Sequence, residues 1–147
     1  PSQIKFILVG DGHEMENMQN LGRVSGIGEY LTFTGARRDV YEIMKAGDVF
    51  LLPSRWEGLP IVLLETGLLK LPVIASDTYG NREVIKPGNG ILFRNLDSGA
   101  LASVIREVTE HKYDLETMAQ NLHNEILQNY NLDRMLAGLE NLYQSKI

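Results

Sequence analysis

Apolar residues occur along the chain in two patterns, short uninterrupted runs and repeats at every third or fourth position. The short runs are typical of strands buried in a parallel sheet, and the repeats are typical of helices with one apolar face. The runs predict strands at residues 4–9, 30–34, 49–52, 72–76 and 91–93. The repeats predict helices at residues 14–25, 39–46, 60–69, 81–85, 97–111, 115–129 and 133–144, with a loop at residues 77–80.

Strands that alternate with helices at this spacing predict right-handed βαβ units. The expected fold class is therefore α/β, a Rossmann-like parallel sheet with helices on both faces and a helical C-terminal tail. Because Pro1 lies so close to the first predicted strand, we expect residues 1–147 to be one domain of a longer protein. Ligands bind such sheets outside the carboxyl ends of the strands, so the loops that follow the strands are the candidate sites.

Composition narrows the function classes. The 147 residues are 44% hydrophobic and 22% charged, with a net charge of −5, which does not favour nucleic acid or an anionic membrane as the main partner. The absence of cysteine excludes disulfides and thiolate metal sites. No apolar run reaches the length of a membrane span and the N-terminus lacks a signal-peptide layout, so we expect a cytoplasmic location.

The stretch Pro-Ser-Arg-Trp-Glu-Gly-Leu-Pro at residues 53–60 joins a predicted strand to a predicted helix. Pro53 ends the strand, Gly58 allows a sharp bend, and Pro60 suits the first helical position. The amides of Gly58, Leu59 and Ile61 are then expected to point out of a helix N-terminus. Such a terminus at the end of a parallel strand is where phosphates bind.

Two carboxylates, Glu57 and Glu65, bracket this helix start. On one interpretation, Glu57 is a solvated loop residue and Glu65 caps or pairs locally. On the other, Glu65 lies among apolar residues and needs a partner, which sugar hydroxyls would supply. Glu57 would then hold sugar hydroxyls or offset positive charge at an anomeric carbon. The residues alone leave both interpretations open.

A second glycine turn, Gly10-Asp11-Gly12, follows the first predicted strand. A dinucleotide fingerprint would need a third glycine at Met15, so a nicotinamide or flavin cofactor is not favoured and a tight turn lining a cleft is. There is no Walker A pattern and no nucleophilic serine elbow. The three histidines lack metal-ligand spacing, so no metal is predicted.

Taken together, these segments resemble the retaining, nucleotide-sugar-dependent glycosyltransferases of family 4, whose Glu-x7-Glu motif corresponds to residues 57–65. The similarity covers about residues 4–110 and implies a GT-B fold, in which two Rossmann-like domains face each other across a cleft. This chain is similar to the C-terminal, donor-binding domain without its opening strand. The supporting matches are Val9-Gly10-Asp11-Gly12, Phe33-Thr34-Gly35, Ala46-Gly47-Asp48-Val49, Pro72-Val73-Ile74-Ala75-Ser76-Asp77, Gly80 with Glu83, and Asn89-Gly90-Ile91-Leu92.

The resemblance assigns expected roles to individual residues. Glu57 and Glu65 would be the catalytic pair, Glu57 beside the transferred sugar and Glu65 on the ribose hydroxyls. The amides of Gly58, Leu59 and Ile61 would meet the diphosphate. Further implied contacts are Gly10 and Gly12 on the nucleotide, Arg37 and Val40 beside the base, and Gly80 on the sugar.

The implied activity is transfer of a hexose, with retention of anomeric configuration, from a nucleotide-diphosphate sugar in glycan or polysaccharide biosynthesis. No metal or other cofactor is implied. A glycan or lipid-linked acceptor, and any membrane contact, would involve the N-terminal domain outside this sequence, so the isolated chain is expected to be inactive. The rival interpretations are a nucleotide-sugar epimerase-like domain and a non-catalytic domain of the same fold.

The chain departs from the family pattern at two positions. Tyr79 stands where a glycine often precedes Gly80, which puts the donor contacts of that loop in question. Lys70 stands where the family commonly has glycine after the motif helix. The left-handed glycine cap is therefore expected to be lost there, with Lys70 suiting the helix dipole instead.

Overall fold

The computed structural model describes residues 4–145 and has two compact units, which divide between Ile43 and Met44. The predicted α/β class is confirmed, since every strand ladder is parallel and helices connect the strands. The described strands pair as a two-stranded and a three-stranded sheet rather than as one ladder. The hydrogen bonds that define each sheet lie within one unit.

In the first unit, strand β1 (Phe6–Val9) pairs with strand β2 (Leu31–Gly35). They are joined by helix α1 (Met15–Val24) and a 3₁₀ turn at Gly28–Tyr30. Helix α2 (Val40–Lys45) follows β2, and the division between the two units falls within it. The carboxyl ends of two neighbouring parallel strands, and the loops that follow them, therefore lie at one edge of this sheet.

The second unit carries the stretch at residues 53–60. Its three strands pair in the order β3-β4-β5, with β4 in the centre and buried along its whole length. Three helices follow the last strand in sequence. The elements are β3 (Phe50–Leu52), α3 (Ile61–Leu68), β4 (Val73–Ser76), α4 (Tyr79–Val84), β5 (Ile91–Phe93), α5 (Ser98–Thr109), α6 (Leu115–Asn129) and α7 (Leu132–Gln144).

Successive residues of β4 enter different clusters of the core. Val73 and Ala75 pack with buried residues of α3, α4 and α6, whereas Ile74 packs with β5 and with residues of α5. Since successive side chains of a strand point to opposite faces, the two clusters cover the two faces of this sheet. The core thereby fixes where α3 begins relative to the ends of β3 and β4.

Two element boundaries differ from the sequence-based expectation near the stretch at residues 53–60. Helix α4 begins at Tyr79, inside the predicted loop, because the hydroxyl of Thr78 caps it by accepting from the Asn81 amide at 3.3 Å. Pro60 is the residue before α3 rather than its first residue, with an extended ψ of 102°. The first turn of α3 therefore starts at Ile61.

The end of α3 corrects the expectation about its cap. Lys70 adopts the left-handed conformation itself, with φ of 55°. Its N–H donates to the Gly67 carbonyl at 3.1 Å, and the N–H of Leu71 donates to the Thr66 carbonyl at 3.2 Å. This pair of bonds is the Schellman motif, which normally uses glycine. The left-handed turn is thus retained without glycine.

We therefore expect Lys70→Gly to stabilise the chain by about 0.5–1 kcal/mol, because glycine has no β-carbon to strain at this φ. Urea unfolding followed by circular dichroism measures the change. Lys70→Ala, which removes the charge but keeps the β-carbon, is the control and is expected to stay within about 0.5 kcal/mol of the parent. Equal changes in the free energy of unfolding for both substitutions would show that the β-carbon of Lys70 is not strained at this φ.

Candidate functional site

Side chains that come later in the sequence donate hydrogen bonds to the backbone carbonyls of the loop at residues 53–60. The Ser76 hydroxyl, at the end of β4, donates to the Ser54 carbonyl at 2.5 Å. The Asn95 side-chain amide, beyond β5, donates to the Arg55 carbonyl at 2.7 Å. The backbone of this loop is therefore held by residues at the end of β4 and just beyond β5.

Gly80 in α4 packs directly against the backbone of this loop. Its N–H donates to the Glu57 carbonyl at 3.2 Å. A β-carbon on Gly80 would lie 2.0 Å from the Gly58 oxygen and 2.5 Å from the Glu57 oxygen, so only glycine fits. Gly80 thus packs against loop backbone, and its expected sugar contact stays a prediction.

The start of α3 presents N–H groups without partners. No acceptor in residues 4–145 receives a bond from the amides of Gly58, Leu59 or Ile61. The Val62 amide likewise has no acceptor in residues 4–145. The sequence does not predict this fourth amide, which becomes available because the helix starts at Ile61 rather than at Pro60. The first helical bond is donated by Leu63 to the Pro60 carbonyl at 3.0 Å. Such amides, at the positive end of a helix dipole, are suited to bind an anion.

The two predicted carboxylates lie on either side of this helix start in sequence. Glu57 is half-buried in the loop, three residues before Pro60. Glu65 is half-buried in the second turn of α3. The catalytic and ribose-binding roles expected for them stay predictions.

An ion pair flanks the loop after β4. Arg82 bonds the Asp77 carboxylate through two nitrogens, Nε to Oδ1 and Nη2 to Oδ2 at 2.9 Å. The hydrogen bond from Arg82 lowers the pKa of the Asp77 carboxyl below its ordinary value. At pH values above about 3.9, the ordinary pKa of an Asp carboxyl, the ion pair therefore stabilises the fold. This contribution is lost as the pH falls through the lower pKa of Asp77 in the folded chain.

Four predicted nucleotide contacts lie in the first unit. Gly10 and Gly12 follow β1 with positive φ values of 141° and 157°. The Arg37 guanidinium bonds Asp39 at 2.8 and 2.6 Å, and this pairing lowers the pKa of the Asp39 carboxyl. Val40 is half-buried at the start of α2. All four follow the carboxyl ends of β1 and β2, and their contacts with a nucleotide stay predictions.

Within residues 4–145, no group of three or more histidine, aspartate or glutamate side chains lies where it would hold a metal ion. None of the helices in that range is long and apolar enough to cross a bilayer. The expectations about cofactors and metals stay predictions.

A comparison with protein families gives a match over residues 1–111 to the family described as glycosyl transferases group 1. The chain belongs to this family. The match includes the glycine turn at residues 10–12, the loop at residues 53–60 and all of α3, and it ends before α6. The glycosyltransferase resemblance drawn from the sequence is therefore confirmed at the level of the group 1 family.

Among named relatives, this group 1 glycosyltransferase chain is similar to the UDP-Gal:alpha-D-GlcNAc-diphosphoundecaprenol alpha-1,3-galactosyltransferase of Escherichia coli. The two are 34% identical over 140 residues, which is 94% of this chain and 36% of that protein. The O-antigen biosynthesis glycosyltransferase WclY of Escherichia coli is 27% identical over 143 residues, 97% of this chain and 39% of that protein. The chain thus spans little more than a third of the length of these relatives.

Among solved structures, the group 1 chain is similar to Anabaena Alr3699/HepE in complex with UDP. The TM-score is 0.85 at 27% identity, with 99% of this chain and 42% of that chain covered. The complex of the same Anabaena protein with UDP-glucose gives a TM-score of 0.86 at 26% identity. These likenesses confirm the GT-B type of α/β fold.

Proposed function

We propose that this chain is the donor-binding domain of a two-domain, retaining glycosyltransferase of family 4, and that it binds a UDP-sugar for transfer of a hexose. The main support for this proposal is the start of α3, where the amides of Gly58, Leu59, Ile61 and Val62 have no acceptor in residues 4–145. A diphosphate satisfies these donors and interacts favourably with the helix dipole. The Anabaena structures with UDP and UDP-glucose support this ligand class.

The residues divide the ligand between them. The amides at the start of α3 bind the diphosphate, and Glu65 one turn further along binds the ribose hydroxyls. Glu57, which follows the exposed Trp56 in the loop, contacts the transferred sugar and offsets positive charge at its anomeric carbon. An amide-rich helix start stabilises the negative charge that develops on the departing diphosphate.

The proposed reaction passes through an oxocarbenium-like transition state and keeps the anomeric configuration. The bond from the anomeric carbon to the diphosphate breaks, and the acceptor hydroxyl bonds to the same face of the sugar. The departing diphosphate takes the hydroxyl proton. The acceptor is a glycan or lipid-linked sugar held by another domain. The name of one relative includes GlcNAc-diphosphoundecaprenol and the name of the other includes O-antigen biosynthesis, which supports this class of acceptor.

Titration of the chain with UDP tests the proposal. Trp56 is the single tryptophan and is 82% exposed in the loop itself, so its fluorescence reports ligand arrival. We expect UDP to bind at least about tenfold more tightly than uridine, because charge-assisted bonds to the diphosphate are lost in uridine. GDP and ADP determine the base preference. Equal affinities for UDP and uridine, or no binding of UDP at millimolar concentration, would contradict the proposal.

A second prediction concerns Glu65. We expect Glu65→Gln to weaken UDP binding about tenfold, because a carboxylate accepts stronger hydrogen bonds from hydroxyls than an amide does. The parent should bind UDP more tightly than 2′,3′-dideoxy-UDP, and the variant should lose most of this difference. Glu116→Gln, on the exposed first turn of α6, is the control. A variant that discriminates ribose as the parent does would refute the role of Glu65.

A further inference from the structure

A buried chain of hydrogen bonds connects α4 to the loop at residues 53–60. The Asn81 side-chain amide, with no solvent exposure, donates to the Ser76 carbonyl at 2.7 Å and to its hydroxyl at 3.3 Å. The Ser76 hydroxyl, in a residue 1% exposed, donates in turn to the Ser54 carbonyl at 2.5 Å. One asparagine thus orients the serine that holds the loop.

Burial of the Asn81 side chain carries a cost in folding free energy. Its Oδ1 atom is buried and has no hydrogen-bond partner within the described part of the chain. A buried acceptor without a donor destabilises a fold, and an apolar side chain at the site would avoid that penalty. The Nδ2 group of Asn81 donates both of its hydrogen bonds to Ser76. A role of these bonds in holding the loop would explain why asparagine, rather than an apolar residue, stands at this position.

The same short helix controls the loop at a second point. Gly80, the neighbour of Asn81, holds the Glu57 carbonyl. A peptide group is planar, and its N–H points opposite to its C=O. Fixing the Glu57 carbonyl toward Gly80 therefore aims the Gly58 N–H away from α4. The orientation of the amide proposed to bind the diphosphate is thus determined by α4.

We propose that Asn81 and Ser76 are positioning residues of the diphosphate site, holding the loop carbonyls so that the amides at the start of α3 stay aimed at the ligand. This inference rests on the proposed function and adds residues that lie behind the loop. Neither side chain touches the ligand. Removing either one lets the loop move and lowers nucleotide affinity without removing a ligand contact.

Asn89 supplies a matched control for Asn81. It is also buried, 6% exposed, and its side chain likewise bonds backbone. It donates to the Val84 carbonyl at 3.2 Å and accepts from the Lys86 amide at 2.7 Å, so its bonds join the last residue of α4 and the turn that follows and do not reach the loop at residues 53–60. Asn81→Ala and Asn89→Ala should therefore lower the urea midpoint comparably. Only Asn81→Ala should weaken UDP binding, by about tenfold, at a temperature where both variants are folded.

A double-mutant cycle with Ser76→Ala isolates the network. Because both side chains act through the Ser54 carbonyl, the variant with Ser76→Ala and Asn81→Ala together should bind UDP about as weakly as either single variant. The effects of Asn81→Ala and Asn89→Ala on the free energy of UDP binding should instead be additive. The Gly58 amide resonance without ligand should broaden or shift in Ser76→Ala and Asn81→Ala only. If Asn81→Ala does not fold, Ser76→Ala alone decides.

The outcomes separate the two proposals. Parent-like UDP affinity and an unchanged Gly58 resonance in Ser76→Ala, or an equal loss of affinity in Asn89→Ala, overturn the positioning role alone. A parent chain that binds no UDP overturns the proposed function and this inference with it. Tenfold weaker binding confined to Asn81 and Ser76 variants supports both.

Discussion

Gly80→Ala is expected to lower the free energy of unfolding by about 3 kcal/mol and to weaken UDP binding by about 100-fold or more. The added methyl group would lie 2.0 Å from the Gly58 oxygen, and backbone cannot yield as a flexible side chain does. The loop must move away from α4, which breaks the bond from the Gly80 amide to the Glu57 carbonyl. The Gly58 amide then loses the orientation that the diphosphate requires.

Urea unfolding and Trp56 fluorescence titration measure the two effects on the same preparation. Gly138→Ala in α7 is the control, because a β-carbon there meets nothing within 4 Å. It should leave UDP binding unchanged and raise stability by up to about 1 kcal/mol, since alanine favours helix over glycine. A Gly80→Ala variant with parent-like urea midpoint and UDP affinity would show that the close approach is not needed.

Leu122→Ala is expected to lower the free energy of unfolding by about 3–4 kcal/mol, the range for a fully buried leucine. Leu122 in α6 has no solvent exposure and packs in the core cluster with Leu63 of α3 and Val73 of β4. The helices approach closely here, since a β-carbon on Gly67 would lie 2.9 Å from the Leu122 Cγ atom. The cavity left by alanine would open where α6 supports α3.

The matched control is Leu127→Ala on the same helix, where the side chain is 54% exposed. It should lower stability by less than about 1 kcal/mol, because much of that side chain is already in water. Equal shifts in the two urea midpoints would mean that α6 does not support the core. Helix α6 lies beyond residue 111, where the family match ends. A large effect would therefore show that the segment after the match contributes to holding α3.

Several elements could be predicted from the sequence alone because their determinants are local. The bounds of α6 and β5 were predicted correctly. In α6 the apolar repeat has the helical period, and Asp114 caps it by accepting from the Thr117 amide at 3.0 Å. The loop before α3 was predictable for the same reason, since Gly58 allows a sharp bend and Pro60 fixes its own φ, and both effects depend on few neighbours. The candidate phosphate site follows from this local pattern.

The features that fix the geometry of that site required the tertiary structure. The Ser76 hydroxyl and the Ser54 carbonyl that it bonds are separated by 22 positions, and Asn95 and Arg55 by 40. The left-handed conformation of Lys70 was likewise not predictable from the residue type, because a residue with a β-carbon disfavours it.

Sequence by itself indicated a glycosyltransferase, the order of the elements and the strand-to-helix loop at which an anion is proposed to bind. Tertiary structure alone decided which side chains hold that loop and why residue 80 is glycine. The physical reason is that periodicity and capping act over three or four residues, whereas the loop is held by contacts between strand ends that only packing brings together.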